Sequence, residues 1–175
     1  MGIAERKIRQ REEVRTSILE VAWNIVEKEG WQALSIRKIA DAIEYSVPVI
    51  YDHFQNKEAI LLEFTKRGFR LLNEDLEKAR VQFSTPDRQL EAMAYAYWSF
   101  AFRNKEYYQL MYGLGMPGCE ATQTIPELKT FSELLRSTIS ELMTGDTSQP
   151  NILMRLTMNI WCSLRMTCSY TPTRP

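Results

Sequence analysis

The sequence contains little of what metal sites, disulfide frameworks and membrane spans require. It has one histidine and three cysteines, Cys119, Cys162 and Cys168, and no CxxC pair. Zinc sites group their ligands at short spacings, so we expect reduced thiols, no metal and no cofactor. No apolar run approaches the ~18 residues of a membrane-spanning helix, and the charged N-terminus is unlike a signal peptide. We therefore expect a cytoplasmic protein without a membrane partner.

An excess of charge of one sign is also missing. The chain has 22 Lys and Arg against 22 Asp and Glu, so only the distribution of charge can indicate a nucleic-acid partner. Residues 5–11, ERKIRQR, concentrate four cations and one carboxylate and are predicted to form a flexible basic arm. Arg6, Lys7, Arg9 and Arg11 of this arm could reach the DNA backbone or an adjacent minor groove.

Glycine and proline are scarce, with seven of each, and most stand between long segments of periodic apolar residues. Alternating runs of β-branched residues, which are typical of strands, are few. The pattern predicts an all-α fold. The expected helices cover about residues 11–29, 35–43, 48–54, 57–83, 86–103, 126–143 and 150–165, with a short helix after Asn104.

Two of the expected helices are short and follow each other closely. Ser35 caps SIRKIADAI, the residues EYS form a break, and PVIYDHF starts at Pro48. A longer first helix braces both, which gives the proportions of a helix-turn-helix. The second short helix is small enough to enter a DNA major groove, which is about 12 Å wide.

The segment SIRKIADAIEYSVPVIYDHFQNKEAILLEF resembles the DNA-binding signature of TetR-type transcriptional regulators, and the likeness spans residues 11–64. It rests on the capped SIRKIA helix, the serine in the turn, Y-x-H-F, and N-K-E-A at the next helix. The resemblance implies a three-helix helix-turn-helix DNA-binding domain over 1–56, joined by a long helix to an effector-binding and dimerisation domain over 57–175. It further implies a homodimeric repressor that a small hydrophobic or aromatic effector releases from a palindromic operator.

Side chains of the two short helices are the candidates for contact with DNA. Tyr51, His53 and Lys57 stand where hydroxyl, imidazole and ammonium groups can reach phosphate oxygens. The resemblance adds Ser35 and Arg37 as contacts to the opposite strand. A half-buried histidine that only fills space is the alternative for His53. Bases would be read by the residues at the front of the second helix, which are Tyr45, Ser46, Val47 and Pro48.

The turn departs from the pattern of many relatives. Where they place glycine, this chain has Glu44 and Tyr45. A left-handed backbone there would cost about 1 kcal/mol more than it does with glycine. Glu44 also brings negative charge close to DNA.

Aromatic residues are concentrated in the second half of the chain. Residues 93–116 hold eight of the 19 aromatics and three methionines. Such density forms either an apolar core or an effector cavity for a neutral or weakly acidic ligand. The candidate cavity residues are Tyr95, Trp98, Phe102, Tyr108, Met111, Phe131 and Trp161.

The helix from Lys57 would transmit effector binding to the DNA-binding domain. Gly68 within it is either a flex point or the site of a close helix contact. Relatives pair through their last two long helices, and residues 150–165, with 126–143, are the candidates here.

Two other classes of function stay open at this point. In the first, the helix-turn-helix persists structurally and the chain is a helical protein-interaction module without operator binding. In the second, Cys119 or His53 serves a small helical enzyme, although no nucleophile and carboxylate accompany the histidine. An enzyme is not expected.

Overall fold

The computed structural model describes residues 2–112 and 125–143, which form seven α-helices, one 3-10 turn and no strand. The predictions that concern Cys119, Cys162, Cys168, Trp161 and the helix 150–165 lie outside these residues. The helices are α1 (Ile3–Glu29), α2 (Ile36–Ala42), α3 (Val47–His53), α4 (Lys57–Arg80), α5 (Pro86–Arg103), α6 (Lys105–Tyr112) and α7 (Pro126–Leu142), and the 3-10 turn is Trp31–Ala33.

The chain divides into two compact units, Met1–Glu63 and Phe64–Pro175. The division falls inside α4, whereas the domain boundary expected from the sequence, between residues 56 and 57, coincides with the start of this helix. None of the described helices is long and apolar enough to cross a membrane. Within the same residues, no cluster of three or more His, Cys, Asp or Glu is arranged to hold a metal ion.

The first helix is longer than the sequence predicted. It begins at Ile3, so the prediction of a flexible arm over residues 5–11 is wrong. Glutamate, arginine, lysine and glutamine are good helix formers, and extending an existing helix adds one backbone hydrogen bond for each residue that is ordered. Glu5 also accepts a hydrogen bond from the Gly2 backbone N–H at 2.9 Å, which satisfies one donor at the helix N-terminus.

The first unit packs α2 and α3 against one face of α1. Ile18, Ala22 and Val26 recur at four-residue spacing on α1 and are buried, as predicted for a helix with one apolar stripe. Gly30 ends α1 with φ +80°, a value that favours glycine. The core is completed by Trp31, Leu34, Ile39, Ala40, Ile50, Phe54 and Ile60.

The second unit packs α5, α6 and α7 against the rest of α4. The Tyr97 and Phe131 rings lie 6.2 Å apart, and the Thr138 hydroxyl donates to the Met93 sulfur at 3.6 Å. Because contacts advance along α7 as they retreat along α5, the two helices run antiparallel. Exposed ion pairs join α4 to α7, namely Arg70 with Glu127 and Arg80 with Glu141, each at 3.2 Å.

At Gly68, side chains of α6 approach the backbone of α4 closely. A Cβ built on this glycine would lie 2.6 Å from Sδ and 3.1 Å from Cγ of Met111, and 3.3 Å from Cδ1 of Tyr107. Met111 is fully buried, so its side chain cannot turn aside into solvent. Of the two roles that the sequence left open, the structure shows the close helix contact.

Substituting Gly68→Ala should destabilise the protein by about 1 kcal/mol. Overpacking costs about 1–3 kcal/mol, and the gain in helix propensity returns up to about 1 kcal/mol. Urea unfolding of both proteins measures the net change in the free energy of unfolding. In a Met111→Ala background the clash is absent, so Gly68→Ala should there be neutral or stabilising. Stabilisation by Gly68→Ala in the otherwise unchanged protein would contradict the close contact.

Candidate nucleic-acid interface

The start of α2 is set by Ser35. Its side-chain oxygen accepts a hydrogen bond from the Lys38 backbone N–H at 3.2 Å, which confirms the predicted N-cap. Lys38 Nζ lies 2.7 Å from Glu29 Oε2, so this cation is held against α1. Arg37 is exposed and makes no ion pair with the described residues. Of the two adjacent cations, Arg37 is the one available to a phosphate.

The turn between α2 and α3 is a Schellman motif. The Tyr45 N–H donates to the Ala40 carbonyl at 3.0 Å, and the Glu44 N–H donates to the Asp41 carbonyl at 3.3 Å. Glu44 lies between these bonds with φ +59°, the one positive φ among the described non-glycine residues. The left-handed backbone expected from the sequence is therefore present, on a residue that has a Cβ.

The recognition helix α3 begins directly after this turn. The Ser46 carbonyl accepts from the Val49 N–H at 3.0 Å, while the Ser46 hydroxyl makes no capping bond. Pro48 occupies the first helical turn, where a missing N–H costs nothing. Ile50 is fully buried and fixes which face of α3 points outward.

The predicted base-reading residues lie together on the outward side. Tyr45 is 46% exposed, Ser46 and Pro48 are exposed, and Val47 is half-buried at the edge of this surface. Tyr51, 50% exposed, lies one turn after Val47 and Pro48. The groups exposed here are two phenols, one hydroxyl and a proline ring.

The far end of α3 is braced by arginines of α1. Arg11 Nη2 donates to the Asp52 carbonyl at 3.0 Å, which satisfies one of the last carbonyls of the helix. The Arg15 guanidinium lies 4.6 Å from the centroid of the Phe54 ring and 3.4 Å from Glu63 Oε2. Sequence reasoning assigned Arg11 to a DNA-reaching arm and missed Arg15. Their i, i+4 spacing was the only signal available.

His53 is half-buried at the C-terminal end of α3. Its Nδ1 is enclosed and has no hydrogen-bond partner among the described residues, so Nε2 is the atom that could reach a phosphate. The side chain borders an open groove of about 440 Å³. The groove is lined by Lys7, Gln10, Arg11, Val14, Tyr45, Asp52 and His53.

Lys57 is the first residue of α4 and is half-buried. Asn56 caps this helix, because its Oδ1 accepts from the Ala59 N–H at 2.8 Å. Residues 1–63 contain nine Lys and Arg against eleven Asp and Glu, so the net charge of the first unit is slightly negative. Any attraction to phosphates depends on where individual cations such as Arg37 and Lys57 lie.

The six described effector candidates fall into two groups that do not share a surface. Tyr108, Met111 and Phe131 are buried in the second unit, as expected for a core or an apolar binding site. The others face solvent, with Tyr95, Trp98 and Phe102 exposed by 75%, 59% and 70%. Helical periodicity places these three opposite the buried face of α5, so a single cavity does not include both groups.

Two members of the buried group, Tyr108 and Phe131, belong to an aromatic cluster contributed by four helices. Neighbouring ring centroids lie 4.8–6.4 Å apart, in tilted or edge-on arrangements that aromatic rings favour. The Tyr97 hydroxyl donates to the Tyr108 hydroxyl at 3.5 Å. Burial raises the pKa of the Tyr112 phenol, which keeps this hydroxyl neutral. The cluster comprises Phe69, Tyr97, Tyr108, Tyr112 and Phe131.

Two protein-family models match this chain. The model described as bacterial regulatory proteins of the tetR family covers residues 18–64, and the tetracyclin repressor-like C-terminal domain covers residues 90–165. The first contains α2, the turn and α3. With the exposed face of α3, these matches define a helix-turn-helix transcriptional regulator that binds DNA. The chain belongs to the TetR family.

Individual relatives are similar over different extents. The chain is 30% identical over 84 residues to the HTH-type transcriptional repressor KstR of Mycobacterium tuberculosis, a match that covers 48% of this chain but only 38% of KstR. A solved protein of unknown function from Rhodococcus sp. RHA1 is 26% identical, with a TM-score of 0.70 over 89% of this chain and 82% of its own. A tetR-family regulator from Rhodococcus RHA1 shares the fold at 17% identity, with a TM-score of 0.67 and coverage of 91% and 85%.

Replacing Glu44 with glycine should stabilise the first unit by about 0.5–1 kcal/mol. Relieving the strain of the left-handed backbone stabilises the folded state by about 1–2 kcal/mol. The larger conformational freedom of glycine in the unfolded chain offsets about 0.4–1 kcal/mol of this gain. Urea unfolding followed by circular dichroism measures the change. Glu44→Gln is the control, because it removes the charge and keeps the strain. An equal gain in both variants would mean that charge, and not backbone strain, is the source.

Proposed function

We propose that this chain is a homodimeric repressor, and not an enzyme, that occupies a palindromic operator through α2 and α3 and leaves it when a small hydrophobic or aromatic effector binds the second unit. The observation that carries the proposal is the Schellman turn at Glu44, followed by the exposed surface of Tyr45, Ser46, Pro48 and Tyr51. The name of KstR, a transcriptional repressor, supports repression as the outcome.

Bases are read by the front of α3. The Ser46 hydroxyl makes no capping bond, so it can donate to or accept from a base edge. Val47 and Pro48 offer apolar contact, for which the thymine methyl is the natural partner. With few polar groups at the tip, sequence preference depends partly on the shape of the groove.

Phosphates are held on both sides of the recognition helix. Tyr51, His53 Nε2 and Lys57 contact one strand, and Ser35 and Arg37 contact the other. Ser35 keeps its hydroxyl proton for a phosphate while its oxygen caps α2, and Lys38 is engaged with Glu29. These contacts position the DNA-binding domain on the duplex without reading its base sequence. The functional boundary of the DNA-binding domain lies between residues 56 and 57, where Asn56 caps α4.

A palindromic operator has two half-sites, so two DNA-binding domains are needed to occupy it. Their recognition helices lie about 34 Å apart or at a related spacing. The segment expected to contribute to pairing, residues 150–165, lies outside the described residues. An effector acts by binding more tightly to one arrangement of the two DNA-binding domains than to the other. The close packing of α4 on α6 at Gly68 supports α4 as the element that transmits this preference.

The effector is placed beside the buried aromatic cluster of the second unit. The rings favour a flat apolar molecule, and the hydroxyls of Tyr97, Tyr108 and Tyr112 favour one neutral polar group on it. The exposed residues Tyr95 and Trp98 are not part of this proposed site.

The experiment that tests the proposal is selection from a random DNA pool by the purified protein at two salt concentrations, with the molecular mass recorded in solution. Enrichment of a palindrome by a dimer is the expected result. If no site is enriched and salt does not alter association with other proteins, the chain acts as a protein-interaction module instead.

Lys57→Ala should weaken binding to every DNA sequence alike and lower the slope of log K against log salt by about 1, because one phosphate contact is lost. Fluorescence anisotropy with the selected operator and an unrelated duplex measures both quantities. Lys78→Ala is the matched control, since Lys78 lies on the same helix about 30 Å away and is exposed. An unchanged slope for Lys57→Ala would remove this residue from the interface.

Tyr108→Phe should raise the effector concentration needed for half-release of the operator by about 5–10-fold, because one hydrogen bond contributes about 1 kcal/mol. The measurement uses a panel of neutral polycyclic ketones and phenols, scored by loss of anisotropy. Tyr95→Phe removes a hydroxyl from the exposed face of α5 and should leave release unchanged. Equal responses of the two variants would place the effector elsewhere.

A further inference from the structure

The open groove beside His53, about 440 Å³ in volume, is lined by residues of α1, the turn and the end of α3. Its α1 side is formed by four residues at i, i+3, i+4 and i+7, a spacing that puts them on one face of a helix. These four are Lys7, Gln10, Arg11 and Val14. The other lining residues are Tyr45, Asp52 and His53. We name this feature the α1–α3 groove.

The N-terminal part of α1 contributes nothing to the apolar core of the first unit. Residues 3–13 are all exposed, and the buried stripe of the helix begins at Ile18. Their helical form does, however, give each side chain a fixed direction. Lys7 faces the groove, whereas Arg9 lies about 200° around the helix from Lys7 and points away from it.

Arg11 joins the two sides of the α1–α3 groove. Its Nη2 donates to the Asp52 carbonyl at 3.0 Å, which holds this turn of α1 beside the end of α3. Arg11 is therefore a positioning residue, and its guanidinium also adds positive charge to the groove.

The α1–α3 groove is positive although the first unit is not. Its lining contains two cations, Lys7 and Arg11, and one carboxylate, Asp52, whereas the unit as a whole has more acidic than basic residues. The Lys7 ammonium and the Gln10 amide make no ion pair or hydrogen bond within the part of the chain that the structure describes. An ammonium is a donor only, so the ligand that this arrangement suits is an anion.

The groove adjoins side chains that the proposed function already assigns to DNA. Tyr45 stands at the front of the recognition helix and His53 at its end, and both line the groove. A duplex that occupies this surface brings its phosphate backbone to Lys7 and Gln10. An ammonium binds phosphate as a point charge, and an amide N–H adds a hydrogen bond. A small apolar ligand suits the groove poorly, because Val14 is the one lining residue with a wholly aliphatic side chain.

We propose that the α1–α3 groove binds one backbone phosphate of the operator, with the Lys7 ammonium as its ion-pair partner and the Gln10 amide as a hydrogen-bond donor. This contact is additional to those of Tyr51, His53 and Lys57, and it rests on the proposed function. The helical start of α1 is thereby part of the DNA-binding surface, through one face and not through all of its cations.

The test compares Lys7→Gln with its matched control, Arg9→Gln. Each variant removes one positive charge from an exposed position of α1, and glutamine is a good helix former, so both retain the helix. Fluorescence anisotropy measures binding to the selected operator and to an unrelated duplex over a range of salt concentrations. Further operators carry a neutral methylphosphonate in place of one phosphate at a time.

Lys7→Gln should weaken binding to both duplexes by about 3–5-fold and lower the slope of log K against log salt by about 1. At one phosphate of each half-site, methylphosphonate should weaken binding of the unchanged protein and have no further effect on Lys7→Gln, because both changes remove the same contact. Arg9→Gln should keep the slope and the methylphosphonate effect of the unchanged protein.

Equal losses in Lys7→Gln and Arg9→Gln overturn the proposal, because net charge alone then accounts for them. The proposal is also overturned if Lys7→Gln binds like the unchanged protein while Lys57→Ala weakens binding, a result that leaves the proposed function standing. If the unchanged protein selects no operator, the proposed function and this contact fall together.

Discussion

The surface proposed to contact DNA depends on one backbone conformation, that of Glu44. Its left-handed φ lets the Tyr45 and Glu44 amides close the C-terminus of α2, and the next residues then leave at the angle that turns α3 outward. Glycine would adopt this conformation without steric cost, whereas a side chain does so only where surrounding contacts hold the turn. Burial of Ile39 and Ala40 before the turn and of Ile50 after it supplies those contacts.

Two basic residues of α1, Arg11 and Arg15, support α3, whereas their charge alone would indicate direct contact with DNA. Arg11 is bonded to the last turn of α3, and Arg15 lies over Phe54 while it faces Glu63. A guanidinium can stack on a ring and bond a carboxylate at the same time, which a lysine ammonium does less well. The first unit carries slightly more acidic than basic residues, so the proposed phosphate contacts depend on the position of a few cations. Two arginines of α1, Arg11 and Arg15, contact the end of α3 instead.

The second unit is organised around aromatic rings and one glycine. Gly68 allows Met111 and Tyr107 to approach α4 closely, and Phe131 of α7 joins the ring cluster from the other side. A packed core of this kind has few intermediate arrangements, which is why the proposed effector response is assigned to this helix contact. The same helix, α4, begins with Lys57 beside the proposed DNA contacts. The proposed effector site and operator contacts therefore share one continuous helix, whose first turns belong to the first unit.

Local chemistry in the sequence determined where most helices begin and end, because caps and helix-starting prolines such as Ser35, Asn56 and Pro86 act within one turn of the chain. It also determined the helix-turn-helix and the residues at its tip. The start of α1 at Ile3 was not predicted from the sequence, because helix propensity and the contact of Arg11 with Asp52 act together there. Only the tertiary structure decided that Tyr108 points inward and Tyr95 outward, because periodicity groups residues on a face without saying which face meets a neighbour. That choice depends on contacts between residues distant in sequence.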